Sequence, residues 1–155
     1  MPQKTAYVTG GASGIGLAVT EMLVSRGMRV AIADRNLEGA KSVAGQHRGS
    51  VTAYELDAAS WDSQASVFQS VVQDLGGRVD YVYPIAGIGE RKSIVNDPKA
   101  TGFAKPDLSV LDVDLNGFVY TASLAIQQMR RQGKDEQGFR GKSTFPIYCE
   151  SKMVC

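Results

Sequence analysis

The sequence predicts an α/β protein built on a parallel sheet, and two observations support this class. Short apolar segments with strand character alternate with segments whose apolar residues recur at helical spacing. A glycine-rich turn joins the first of these strands to the first helix. Strands and helices that alternate in this rhythm indicate βαβ units, whose strands run parallel.

The elements of the first half follow directly from residue pattern. Strands are predicted over residues 5–9, 29–33, 50–56 and 79–86. Helices are predicted over residues 17–26, 36–46 and 60–75. Asn36 and Ser60 are suited to cap the second and third helices, and Gly27 is suited to end the first. Pro84 cannot donate to a sheet, so the fourth strand should end irregularly.

The second half is less regular. Residues 88–105 are polar and contain Pro98, which predicts a long loop. Residues 107–131 predict a long helix with a broad apolar surface. A fifth strand is due next, but residues 132–142 are charged and rich in glycine, and they predict none before Pro146. We therefore expect an incomplete sheet of about four strands.

Composition narrows the classes of function. The 155 residues are 43% hydrophobic and carry a formal net charge of +1, which fits a single domain over residues 1–155. This charge gives no reason to expect nucleic acid or an anionic membrane as a partner. No leader pattern, membrane-length apolar run or metal-ligand cluster accompanies the two cysteines, Cys149 and Cys155. We expect a reduced, cytoplasmic protein without a bound metal.

The glycine-rich turn lies between a strand and a helix. Its glycines and serine are Gly10, Gly11, Ser13, Gly14 and Gly16. Glycines allow a backbone to approach a pyrophosphate closely, and the helix that follows directs N–H groups at the anion. The alternative is a β–α turn that binds nothing. The strand–turn–helix context favours the phosphate-binding interpretation.

Asp34 ends the second strand, 18 residues after Gly16. A carboxylate there can accept hydrogen bonds from the adenosine ribose hydroxyls and repels a 2′-phosphate, so it favours NAD over NADP. Arg35 argues the other way, because arginine can pair with a 2′-phosphate. A simple strand-end role for Asp34 is the remaining alternative.

Tyr148 and Lys152 are spaced to share one face of a helix, one turn apart. A nearby ammonium favours the phenolate and lowers the pKa of a tyrosine from about 10. Such a tyrosine can exchange a proton with a substrate oxygen near neutral pH.

Taken together, these motifs resemble the short-chain dehydrogenase/reductase (SDR) family over residues 4–155. The resemblance also includes Asp57 after the third strand, where Leu56-Asp57-Ala58 would contact the adenine, and Ala86-Gly87 after the fourth. The sequence of residues 110–131 and 146–152 is most similar to the NAD-dependent branch related to 15-hydroxyprostaglandin dehydrogenase, including its fungal members.

The resemblance implies a Rossmann-type three-layer αβα sandwich and a hydride transfer between NAD and a secondary alcohol or ketone. The residues it assigns to the cofactor are Gly10, Ser13, Gly14, Ile15, Gly16, Asp34, Arg35, Asp57, Ala58, Ala86, Gly87, Tyr148 and Lys152. Tyr148 would be the general acid/base, and Lys152 would bind the nicotinamide ribose. The broad apolar surface of the helix over residues 107–131 also leads us to expect a homo-oligomer formed through that helix.

Three departures from the family pattern bear on activity. Asp114 occupies the place of a catalytic asparagine, and Ile85 that of another asparagine. Ser143 is the nearest serine before Tyr148, but it stands too close to be the family's catalytic serine and is interpreted as a loop residue. The chain stops soon after the Tyr-x-x-x-Lys motif, so a truncated domain is expected.

Two alternatives to an active oxidoreductase therefore stay open. The chain can be a catalytically inactive homologue that binds nucleotide or dimerises with a full-length relative. It can also be a truncated product without a function of its own.

Overall fold

A parallel sheet of five strands forms the centre of the protein, in the order β3-β2-β1-β4-β5. The computed structural model describes residues 3–89, 99, 101–103 and 105–143. The strands are Thr5–Thr9 (β1), Arg29–Asp34 (β2), Val51–Glu55 (β3), Tyr81–Pro84 (β4) and Lys142–Ser143 (β5). Every neighbouring pair is parallel.

Helices connect the strands. They are Gly14–Ser25 (α1), Leu37–Gln46 (α2), Trp61–Asp74 (α3), Ser109–Leu111 (α4) and Phe118–Arg131 (α5). A π-helical segment, Asp112–Gly117, lies between α4 and α5. No helix in the described ranges is both long and apolar enough to cross a membrane.

Side chains that alternate along the strands build a core on each face of the sheet. On one face, Val8 and Ile32 pack with Leu23 of α1 and Val43 of α2. On the other face, the strands pack against α3 and α5 through a second cluster. Its members include Tyr7, Ala33, Phe68, Val71, Ala125 and Met129. Two helical layers thus enclose the sheet, which confirms the predicted α/β class and its three layers.

The expectation of about four strands is wrong. Lys142 and Ser143 form β5, with Lys142 opposite Tyr81 and Ser143 opposite Val82 of β4. Ser143, interpreted as a loop residue from the sequence, is therefore part of the sheet. A strand of two residues is too short to show alternation, so pattern could not reveal it.

Local signals placed the other elements well. The side chain of Asn36 accepts from the Gly39 amide at 3.0 Å and caps α2. Ser60 caps α3 in the same way, accepting from the Ser63 amide at 3.2 Å. The strand β4 ends at Pro84, as expected for a residue that lacks a donor. The long helix over residues 107–131 exists, but it begins at Ser109 and changes pitch through the π-helical segment.

An ion-pair cluster of Lys4, Arg78, Asp80 and Asp135 lies at the amino ends of β1 and β4. Asp80 accepts from the Thr5 amide at 2.9 Å and from Arg78 Nε at 2.6 Å. Lys4 Nζ lies 2.8 Å from Asp135 Oδ2 and 3.6 Å from Asp80 Oδ1. Burial raises the pKa of Asp80. The hydrogen bonds that it accepts from Arg78 and the Thr5 amide lower the pKa by more than burial raises it, so the net shift is downward. The cluster attaches the segment after α5 to the amino ends of the strands, which is the end of the sheet opposite the turn at Gly10.

Candidate functional site

A groove of ≈ 350 Å³ lies at the carboxyl ends of β1, β2, β3 and β4. Ligands of open α/β sheets bind at this edge. The lining residues that sequence had singled out are Gly10, Ser13, Gly14, Ile15, Gly16, Asp34, Arg35, Leu56, Asp57, Ala58, Ala86 and Gly87. The structure thus brings these residues from four separate loops into one place.

The glycine-rich turn forms the floor of the groove, and its shape requires glycine. Gly10 has φ +72°, and a Cβ there would lie 2.8 Å from Ala86 Cα. A Cβ on Gly16 would collide with the Gly10 carbonyl group. The turn therefore brings bare backbone up to the groove, which is the arrangement a pyrophosphate requires.

The amino end of α1 faces this turn. Ser13 is its N-cap residue, yet its side chain makes no capping hydrogen bond. The first turn of α1 contains no acidic residue. The positive end of the helix is consequently not neutralised by an acid of its own first turn, and it can attract an anion. The residues at this turn fit a dinucleotide phosphate.

Asp34 joins the turn to the end of β2. Its Oδ2 accepts from the Ala12 amide at 3.0 Å, and its Oδ1 accepts from the Asn36 amide at 2.9 Å. These two bonds orient the carboxylate at the rim of the groove beside Arg35. The bond to Ala12 was not expected from sequence, and it gives Asp34 a structural role in addition to lining the groove.

Asp57 and Ala58 form the wall that follows β3. Asp57 Oδ1 accepts from the Ala59 amide at 3.1 Å, while the Asp57 amide donates to Ser63 Oγ at 3.1 Å. This wall is thereby attached to the first turn of α3.

The opposite wall follows β4. The buried hydroxyl Oγ1 of Thr9 accepts from the amides of Ile85 at 3.1 Å and Ala86 at 3.2 Å. The Ile88 amide donates to Asp114 Oδ1 at 2.8 Å. Asp114, expected at the catalytic end of the site, therefore contacts this wall as a hydrogen-bond acceptor. A carboxylate performs that task as well as the amide oxygen of an asparagine, so the substitution does not disturb this contact.

Four groove residues were missed by sequence reasoning as lining residues. They are Ala33, Ile85, Ile88 and Val113. Ile85 and Ile88 flank the predicted pair Ala86-Gly87, so their proximity could have been expected. Val113 could not, because it is distant in sequence and belongs to the π-helical segment.

The predicted catalytic pair, Tyr148 and Lys152, lies outside the described residues. Ser143 donates its hydroxyl to the Val82 carbonyl at 3.2 Å, within the sheet. Asp135 belongs to the ion-pair cluster at the other end of the sheet. Neither residue lines the groove.

Comparison with known proteins agrees with this geometry. The model of the family described as short chain dehydrogenase matches residues 4–153. The chain belongs to this family. It is 31% identical over 140 residues to the short-chain dehydrogenase/reductase ascJ of Acremonium egyptiacum, which covers 89% of this chain and 46% of that protein. It is 32% identical over 156 residues to a 3-oxoacyl-[acyl-carrier-protein] reductase of Bos taurus, covering 96% of this chain and 63% of the relative.

Solved structures share the fold of this SDR chain. The 3-ketoacyl-(acyl-carrier-protein) reductase of Brucella melitensis, complexed with NADH, superposes with a TM-score of 0.71 at 24% identity. The alignment covers 83% of this chain and 50% of that one. The chain thus spans about half to two thirds of the length of the curated relatives named above.

Proposed function

We propose that this chain is the dinucleotide-binding part of an SDR oxidoreductase that transfers a hydride between NAD and a secondary alcohol or ketone. One observation carries the proposal. Bare backbone at Gly10 and Gly16, the uncapped end of α1 and the carboxylate of Asp34 all line the same groove. Bound there, NAD would supply the hydride chemistry itself.

Asp34 supports a preference for NAD over NADP. Its two oxygens already accept backbone amides at 2.9 and 3.0 Å, so the carboxylate is held where a 2′-phosphate would meet negative charge. Arg35 lines the same groove and supplies the opposite charge. The relatives do not decide the matter, because one from Cochliobolus lunatus is named an NADP-dependent dehydrogenase.

For the reaction, we assign the general acid/base to Tyr148 and the nicotinamide ribose contact to Lys152. Asp114 would hold the wall of the groove at Ile88. Membership of the branch related to 15-hydroxyprostaglandin dehydrogenase is part of the same proposal, as is an alcohol or ketone substrate. The cytoplasmic location stays a prediction.

Homo-oligomerisation through residues 107–131 is also part of the proposal. Leu108, Leu111, Leu115 and Val119 lie about one helical turn apart, and each is about half exposed. An apolar stripe of this kind is typical of a helix that packs on another subunit.

The decisive experiment is thermal unfolding of the 155-residue chain with NAD⁺, with NADP⁺ and without nucleotide. A ligand at ~100 times its Kd stabilises the folded state by about 2.7 kcal/mol. For a chain of this size that raises Tm by roughly 5–10 °C. We expect this shift with NAD⁺ and a smaller one with NADP⁺.

Two matched variants test the assignment of Asp34. Asp34→Asn should reduce the NAD⁺ shift and bring it closer to the NADP⁺ shift. Glu55→Gln changes the carboxylate opposite Asp34 on β3, which does not line the groove, and should leave both shifts unchanged. A melt indifferent to both nucleotides would refute nucleotide binding by this chain.

The catalytically inactive alternative rests on the departures from the family pattern given above, and the Ser143 hydroxyl, which donates to the Val82 carbonyl within the sheet, does not replace the catalytic serine. An NAD⁺ shift without measurable oxidation of secondary alcohols would support it. NAD-dependent turnover by the purified chain would exclude it.

A further inference from the structure

Gln64 is a fully buried glutamine whose side chain joins two walls of the groove. It lies in the first turn of α3 and is 0% exposed. Its Nε2 donates to the Ala58 carbonyl at 2.7 Å and to the Gly117 carbonyl at 2.7 Å. Both amide hydrogens are therefore used, each on a backbone group of a different loop or helix.

Thr121 orients this amide. Its hydroxyl donates to Gln64 Oε1 at 2.6 Å, and it also lies 3.0 Å from the Gly117 carbonyl. A flip of the amide would lose both donations to carbonyl groups and would place Oε1 against the Ala58 and Gly117 carbonyl oxygens, so only the present orientation is satisfied. Gln64 and Thr121 thus form a buried pair in one defined orientation.

The backbone around the pair is closely packed. Gly117 ends the π-helical segment, and a Cβ on it would lie 2.6 Å from the Ala58 carbonyl oxygen. The loop after β3 and the π-helical segment therefore touch through backbone atoms, and Gln64 spans the contact.

Both segments that meet at this contact also contribute residues to the groove. Ala58 lines it directly. On the other side, the π-helical segment contributes Val113 to the lining and Asp114 to the bond with the Ile88 amide. A π-helical turn is uncommon and is typical of functional sites, where it redirects side chains.

We propose that Gln64, oriented by Thr121, is a positioning residue that holds the π-helical segment in the register at which Asp114 reaches Ile88. This role depends on the proposed function only in that the two walls it aligns are those of a nucleotide groove. Without the glutamine amide, the Gly117 and Ala58 carbonyls lose a donor. The π-helical segment is then more stable as an ordinary α-helix. That change of pitch turns Asp114 away from Ile88.

The test is hydrogen exchange of the Ile88 amide, measured by NMR on the whole chain without nucleotide. Gln64→Met keeps the volume and removes the amide, and Thr121→Val keeps the shape and removes the hydroxyl. Both should speed exchange of the Ile88 amide by at least ~10-fold, towards the rate in Asp114→Ala, where its acceptor is absent. Thr121→Ser restores the hydroxyl and should restore slow exchange.

Val71→Ala is the control for general destabilisation. Val71 is fully buried in the same helix and belongs to the core under the sheet. It should accelerate amides of β1 and β2 as much as that of Ile88. If Gln64→Met behaves like Val71→Ala, or if Thr121→Ser exchanges as fast as Thr121→Val, the positioning role is wrong.

Failure of the proposed function is separable from failure of this role. Exchange at Ile88 is measured on the free protein and requires no nucleotide. A chain that ignores NAD⁺ but shows selective exchange at Ile88 in Gln64→Met supports the positioning role and refutes only nucleotide binding.

Discussion

At the scale of single residues, Tyr7 buries a hydroxyl group in a way that lowers the stability of the fold. Its ring packs edge-on against Phe68, with centroids 5.3 Å apart, and the side chain is 1% exposed. Within the described residues, its hydroxyl is buried without a hydrogen-bond partner. Burial accordingly raises the pKa of Tyr7 well above 10. An unsatisfied buried hydroxyl costs about 1–3 kcal/mol.

We expect Tyr7→Phe to raise the free energy of unfolding by about 1 kcal/mol, since it removes the hydroxyl and keeps the ring. Urea denaturation at pH 7 would measure the change. Tyr54→Phe is the matched variant, because the Tyr54 hydroxyl donates to Asp74 at 2.5 Å. Removing that hydroxyl should lower the free energy of unfolding. Destabilisation by Tyr7→Phe would mean that its hydroxyl has a partner.

Residues whose chemistry dictates a local motif were predictable from sequence. Gly10, Gly16 and Asp34 were identified because a turn between strand and helix restricts which residues fit. Gln64 and Tyr7 were not, because a glutamine on a helix usually faces solvent and a tyrosine hydroxyl usually has a partner. Only the packing of distant segments reveals either exception.

At the scale of elements, the helical segment from Ser109 to Arg131 divides into two surfaces. Thr121, Ala125 and Met129 face the core, whereas the apolar stripe is exposed. The long apolar surface predicted from sequence is therefore only partly used within the chain. The π-helical pitch was not predictable, because one irregular turn barely alters a helical pattern of apolar residues.

The exposed stripe makes the oligomer testable. We expect the chain to self-associate and Leu115→Lys to weaken its dimerisation by at least ~10-fold, because a charge would be buried at the centre of the interface. Sedimentation velocity across a concentration series measures this. Ile15→Lys changes another exposed apolar residue, away from the stripe, and should not affect association. A chain that stays monomeric at all concentrations would exclude this interface.

At the scale of the whole molecule, the ion-pair cluster lies at the amino ends of the strands and the groove lies at their carboxyl ends. The ion-pair cluster supports the amino ends of β1 and β4, far from the turn at Gly10. The hydrogen bond from Lys4, followed by that from the Phe139 amide, lowers the pKa of Asp135 to about 2. Stability from this carboxylate is fully present above its ordinary pKa of 3.8 and is lost as the pH falls through about 2.

Asp135→Asn should therefore flatten the loss of stability between pH 4 and about 2, because the variant has no proton to take up there. Urea midpoints at pH 6, 4, 3 and 2.5 would show it. Glu136→Gln alters the neighbouring carboxylate, which is not a member of the cluster, and should keep the steeper wild-type loss. Equal slopes for wild type and Asp135→Asn would contradict the contribution of Lys4 and Asp135.

The central place of β1 has a consequence for synthesis. Its neighbours are β2 and β4, so Thr9 pairs with Ala33 on one side and with Pro84 on the other. Translation adds about 5–20 residues per second, so one side of β1 waits on the order of 4–15 s for its partner. During that interval the strand's apolar residues and free backbone groups are open to chaperones and to other nascent chains. Among the five strands described, β1 therefore precedes the others in the chain but gains its second neighbour only after β2, β3 and β4 have been made.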